Sequence, residues 1–106
     1  MKMYVFELGI LKLDKNLVVS MSHVARVNDP RCENEMVPAY LFETEEGYVL
    51  YDTGCHPDCM GENGRWPVEF QNQVPYEGDE TTTILYQLEQ LGIKPDEIKT
   101  VILSHM

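Results

Sequence analysis

Two strand-like runs set back to back around an acidic turn constrain this chain more than any other feature. Pro38-Ala39-Tyr40-Leu41-Phe42-Glu43-Thr44 leads through Glu45-Glu46-Gly47 into Tyr48-Val49-Leu50-Tyr51-Asp52. Aromatic and branched residues favour extended backbone, and Gly47 can supply the positive φ of a tight reversal. The spacing predicts a β-hairpin. Tyr48 to Tyr51 is apolar without a break, which predicts a strand covered on both faces. Such a strand needs layers above and below it, and a helix followed by a strand at the far end of the chain suggests α/β layering.

The flanking sequence fills in the order of elements. Met3 to Leu8 reads as a strand, and after Gly9 the run Ile10 to Leu13 is either a second short strand or a bulged continuation. Asp14-Lys15-Asn16 is turn chemistry, Leu17 to Ser22 reads as another strand, and residues 26–36 read as a loop around Asn28-Asp29-Pro30 and Asn34. Residues 53–79, with four glycines, three prolines and the only tryptophan, Trp66, predict a long irregular loop. Asp79 is placed to cap a helix that carries Ile84, Leu85, Leu88 and Leu91 on one stripe and ends at Gly92. Pro95 to Ile98 adds one helical turn, and Thr100 to Leu103 predicts a short buried strand inside the sheet.

Composition narrows the function. A chain of 106 residues makes one domain, 1–106, and 43% hydrophobic with 25% charged residues is globular composition. The formal net charge is −10, which argues against stable binding to nucleic acid phosphates or an anionic membrane. Residues 32–97 hold two basic and fifteen acidic side chains. That stretch is either a solvated surface or a field that attracts cations. No apolar run approaches the ~18 residues of a membrane span, and Glu7 falls where a signal peptide needs unbroken apolar sequence. A cytoplasmic protein is expected. Cys32, Cys55 and Cys59 cannot all pair within one chain. Cys55-His56-x-x-Cys59 together with Cys32 could form a structural zinc knuckle, but without a second ligand pair free thiols are the simpler reading.

The chemistry points to two strand ends. Asp52-Thr53-Gly54 closes the hairpin's second strand, and Ser104-His105 closes the last one. Reacting groups collect at strand ends in layered α/β folds. Taken singly, Asp52 is an ordinary turn starter and His105 a solvated side chain.

Taken together with the rest of the chain, these residues resemble the N-terminal part of a metallo-β-lactamase-fold hydrolase, in particular the N-acyl homoserine lactonase family. The hairpin 38–47 resembles that family's second hairpin, and Val49-Leu50-Tyr51-Asp52-Thr53-Gly54-Cys55-His56-Pro57 its strand ending in Asp-Thr-Gly. Gly64-Arg65-Trp66-Pro67 and Pro75-Tyr76 resemble a segment of some lactonase-like members. Leu91 to Ile98 and Val101-Ile102-Leu103-Ser104-His105-Met106 resemble the run into the zinc motif H-x-H-x-D-H. Of that motif the sequence holds only the first His, His105.

The resemblance implies the N-terminal half of an αββα sandwich belonging to a longer enzyme, a truncated or interrupted form of it. The intact family protein would hold two zinc ions and open a lactone ring with a metal-bound hydroxide, an activity that quenches quorum signals. His105 would be a metal ligand and Asp52 would orient ligands without binding metal. Met21, Trp66 and Phe70 are candidates for the substrate pocket. One imidazole does not make a zinc site, so the 106 residues alone are expected to be inactive and not to hold zinc stably. Two alternatives stay open: a non-catalytic acidic binding or assembly domain, self-associating through an open sheet edge at residues 100–104, and a metallo-hydrolase of another ester or thioester.

Overall fold

A computed structural model describes residues 1–14 and 32–105. The hairpin is its centre: β2 (Cys32–Thr44) and β3 (Gly47–Tyr51) run antiparallel, with Thr44 opposite Gly47 and Tyr40 opposite Tyr51. Gly47 takes φ 121°, and the Thr44 hydroxyl donates to its carbonyl at 2.6 Å and accepts from the Glu46 amide at 3.2 Å. β1 (Lys2–Asp14) pairs antiparallel with β2 on the other side. Its register slips between Glu7 and Ile10, where Gly9 has φ 102°, so the segment after the glycine is a bulged continuation of one strand. The strand expected at Leu17 to Ser22 lies outside the described residues.

Two expectations about loops are corrected. Residues 32–36, read as loop, extend β2, because Met36, Glu35 and Asn34 find ladder partners in Ile10, Leu11 and Lys12. Pairing to a neighbour overrides the poor strand propensity of the asparagine. Residues 53–79 are not all irregular. They contain α1 (Val68–Gln73) and β4 (Tyr76–Glu77), which pairs with Ile10 and Leu11 at the bulge. The Gln71 amide group pins this segment, accepting from the Gly61 amide at 2.8 Å and donating to the Gly61 and Trp66 carbonyls at 3.0 and 2.8 Å.

The helix expected from Asp79 is split in two. Asp79 caps a 3-10 turn, Glu80–Thr82, and Thr83, in extended conformation, caps α2 (Ile84–Gln90) by accepting from the Tyr86 amide at 3.2 Å. The break narrows the apolar stripe: Leu88 is buried and Ile84 packs on the core, but Leu85 and Leu91 face outward. Gly92 ends α2 with φ 72°, and the Gly92 and Ile93 amides donate to the Glu89 and Leu88 carbonyls. A 3-10 turn, Pro95–Glu97, then leads into β5 (Ile98–Ile102), which runs parallel to β3.

The sheet order is β4-β1-β2-β3-β5. Phe6 and Leu8 of β1, Ala39 and Leu41 of β2 and Leu50 of β3 point to one face, where Leu88 and Ile93 cover them. On the other face Met3 and Val5 are more than half exposed. The result is one sheet with helix on one side, an α/β arrangement. That geometry corrects two further expectations. β5 is not buried: it is an edge strand with Val101 49% and Ile102 45% exposed, because among the described residues only β3 flanks it. In β3 only Leu50 is buried, because the second face of the sheet has no cover among the described residues.

Substitutions at the bulge and in the core test this packing. A Cβ on Gly9 would lie 2.5 Å from the Tyr76 ring and 2.7 Å from the Glu77 carbonyl, at a φ that side chains resist. Gly9→Ala is expected to cost about 1–3 kcal/mol, and Leu41→Ala about 2–5 kcal/mol. Urea midpoints followed by circular dichroism measure both.

Candidate active site

Because β3 and β5 are parallel, their C-terminal ends emerge on the same side of the sheet and carry Asp52 and Ser104-His105 to one place. The Asp52 amide donates to the Ile102 carbonyl at 2.8 Å, so the ladder runs one residue past the strand. Asp52 itself sits at φ 65°, the one described non-glycine residue in the left-handed region. That conformation costs on the order of 1–2 kcal/mol. It aims the carboxylate across the strand gap. Oδ1 accepts from the Ser104 amide at 2.8 Å, and the Ser104 hydroxyl donates to Oδ2 at 2.8 Å and Oδ1 at 3.0 Å. The same hydroxyl oxygen lies 2.7 Å from Nδ1 of His105.

Electrostatics follow the geometry. The Ser104 amide holds the Asp52 carboxyl below its ordinary value, against a smaller opposing effect of desolvation. Since the folded-state value lies below the unfolded one, the contact is fully formed above the unfolded value and is lost as pH falls through the lowered one. At neutral pH Asp52 is an anion that accepts hydrogen bonds and donates none.

A cavity of about 370 Å³ opens beside this junction. Asp52, Ser104 and His105 form its polar wall, and Leu11, Met36 and Leu103 contribute apolar surface. Gly54 lets the chain turn away from β3: a Cβ there would meet Leu8 Cδ1 at 2.7 Å. Leu11 and Met36 were not singled out from the sequence, and Ser104 was named beside His105 at the strand end without a role of its own. Ser104 had a usable signal in its position directly before His105, whereas Leu11 and Met36 reach the site only through the β1–β2 register that the bulge sets.

The remaining candidates lie apart. Trp66 stacks edge-on against Phe70 at 4.9 Å and Tyr76 at 6.5 Å, and neither Trp66 nor Phe70 is among the residues lining the cavity. Met21 lies outside the described residues. His56 accepts from the Asp58 amide through Nδ1 at 3.0 Å. Among the described residues no three of His, Cys, Asp and Glu gather to hold a metal ion, whether at Cys55-His56-x-x-Cys59 or at His105. His105 has the chemistry of a single donor, with Nδ1 occupied by Ser104 and Nε2 open. A hydrolytic zinc centre needs about three protein ligands. The described residues therefore do not by themselves fit one.

Comparison with known proteins decides the family. Residues 33–106 match the metallo-beta-lactamase superfamily. The chain belongs to that superfamily. It is 41% identical over 109 residues to N-acyl homoserine lactonase AiiB of Agrobacterium fabrum, covering 99% of this chain and 40% of that protein. It is 30% identical to N-acyl homoserine lactonase AiiA of Bacillus thuringiensis subsp. kurstaki, with the same coverage. Among solved structures it superposes with a TM-score of 0.76 and 29% identity on an N-acyl homoserine lactone hydrolase with the product N-hexanoyl-L-homoserine bound at its catalytic metal centre. That match covers 94% of this chain and 38% of the other. This superfamily member thus spans about 40% of the length of the curated relatives it matches.

The thiol beside the site gives a pH test. Burial, with a smaller contribution from Cys59, pushes the half-buried Cys55 thiol up to about 11. Only the thiolate is nucleophilic, and at pH 8 roughly one Cys55 in a thousand is ionised at any moment. Site-resolved alkylation by iodoacetamide at pH 8 is expected to be at least about a hundredfold slower at Cys55 in the folded chain than in urea.

Proposed function

We propose that the intact protein is a zinc-dependent hydrolase that opens the ring of an N-acyl homoserine lactone or a close analogue. The observation that carries this reading is the 41% identity to a homoserine lactonase across 99% of the chain. The site supports it. An imidazole held at the ends of two parallel strands lines a cavity that carries both polar and apolar side chains, which suits a small ester with a hydrocarbon tail. A net charge of −10 argues against a nucleic acid substrate or an anionic membrane as partner.

In this reading His105 is one of the zinc ligands and Asp52 fixes the strand end that presents it. Ions of this kind lower the pKa of water to about 7, the property lactone hydrolysis at neutral pH calls for. Trp66, Phe70 and Met21 remain candidates for the acyl end of the pocket. Residues 1–106 form part of a single domain. The free thiols Cys55 and Cys59 fit a reducing cytoplasm, where ring opening would silence acyl homoserine lactone signals. The uncovered β5 edge and the exposed Val101, Ile102 and Leu103 form a surface through which the 106 residues alone would self-associate.

The test is turnover by the protein in its full natural length, comparing N-hexanoyl homoserine lactone with a thioester and a phosphodiester. The lactone is expected to be the preferred substrate, chelation to abolish activity, and His105→Ala to lower kcat/KM at least about a hundredfold. Preference for the thioester or the phosphodiester, or full activity in chelator, would overturn the reading.

A further inference from the structure

The three side chains Asp52, Ser104 and His105 share too few hydrogens to be arranged in more than one way. The Ser104 hydroxyl has one hydrogen and two neighbours, the Asp52 carboxylate at 2.8 Å and His105 Nδ1 at 2.7 Å. A carboxylate has no hydrogen to give. If the hydroxyl hydrogen turned to His105, the serine oxygen would face an anionic oxygen at 2.8 Å with nothing between them, a repulsive contact. The hydrogen therefore goes to Asp52, and the serine oxygen becomes an acceptor. The hydrogen on the 2.7 Å contact must then come from the imidazole.

We propose that Ser104 is a positioning residue that, anchored by Asp52, holds neutral His105 in the Nδ1–H tautomer and so leaves Nε2 as a bare lone pair. A neutral histidine carries one ring hydrogen, and the partner of one nitrogen decides the state of the other. The chain Nδ1–H to Oγ, Oγ–H to carboxylate is charge-assisted at its far end, which strengthens both links. Asp52 reaches Ser104 from a left-handed backbone, and its other oxygen is fixed by the Ser104 amide. The conformation that looks costly at Asp52 is thus what sets the tautomer two links away. That the bare Nε2 is a ligand nitrogen rests on the function proposed above, whereas the tautomer rests on the hydrogen bonds alone.

The experiment reads the tautomer directly. In the 15N-labelled protein of full natural length, stripped of metal by a chelator and held at pH 9, two-bond proton–nitrogen correlations distinguish Nδ1–H from Nε2–H for each histidine. His105 is expected to show Nδ1–H, against the Nε2–H form that a free histidine side chain favours. Ser104→Ala is expected to invert the major tautomer of His105 and leave that of His56 unchanged, and Ser104→Thr, which keeps the hydroxyl, to retain Nδ1–H. A wild-type spectrum with Nε2–H as the major form would overturn the proposal, and so would an unchanged tautomer in a folded Ser104→Ala chain. If Ser104→Ala does not fold, the wild-type and Ser104→Thr spectra still decide it. A protein with Nδ1–H at His105 that fails to open lactones would overturn the functional reading and leave this one standing.

Discussion

The carboxylate of Asp52 ties the end of β3 to the end of β5, and the arrangement of the candidate site depends on that tie. β5 is an edge strand paired on one side, with exposed apolar residues, and the tie to Asp52 is what fixes the direction of the chain beyond Ile102. With it, Ser104, two residues past the strand, is clamped by three hydrogen bonds, and His105 is delivered to the rim of the cavity. The backbone strain at Asp52 and the burial of Leu50 two residues earlier are linked. The core fixes β3, β3 fixes the start of the left-handed turn, and the turn aims the carboxylate.

The structure also explains how apolar side chains come to line the cavity that holds the imidazole. Leu11 lies just past the β1 bulge, and Met36 pairs with its neighbour Ile10 in the ladder that the bulge re-registers. Tyr76 closes the same region from the outside, donating to the Leu8 carbonyl at 2.8 Å and contacting the Thr82 hydroxyl at 3.1 Å. A single glycine in β1 thereby couples the long segment after Gly54 to the cavity.

Much of this was legible in the sequence, and the misses share a cause. The β2–β3 hairpin, the Gly9 irregularity, the Gly92 stop and the pairing of Asp52 with His105 all follow from local chemistry or from the family resemblance. The extension of β2 through Asn34, the strand β4 and the break at Thr83 depend on partners far away in sequence, which no local window contains. The exposure of β5 is different again. Val101-Ile102-Leu103 has the composition of a buried strand, and the described residues supply cover for only one side of the sheet. Ser104 was given no role of its own because a serine before a histidine is an unremarkable dipeptide until a carboxylate is placed 2.8 Å from it.

Amide hydrogen exchange at Ser104, in the wild-type chain and in Asp52→Ala, tests the central claim most directly. The account requires the Ser104 amide to be protected in the wild type, well beyond the last β5 residue, and to exchange at least about tenfold faster once the carboxylate is removed, with Leu50 protection unchanged. An amide that exchanges at the rate of an open chain in the wild type, or one indifferent to the loss of Asp52, would contradict it.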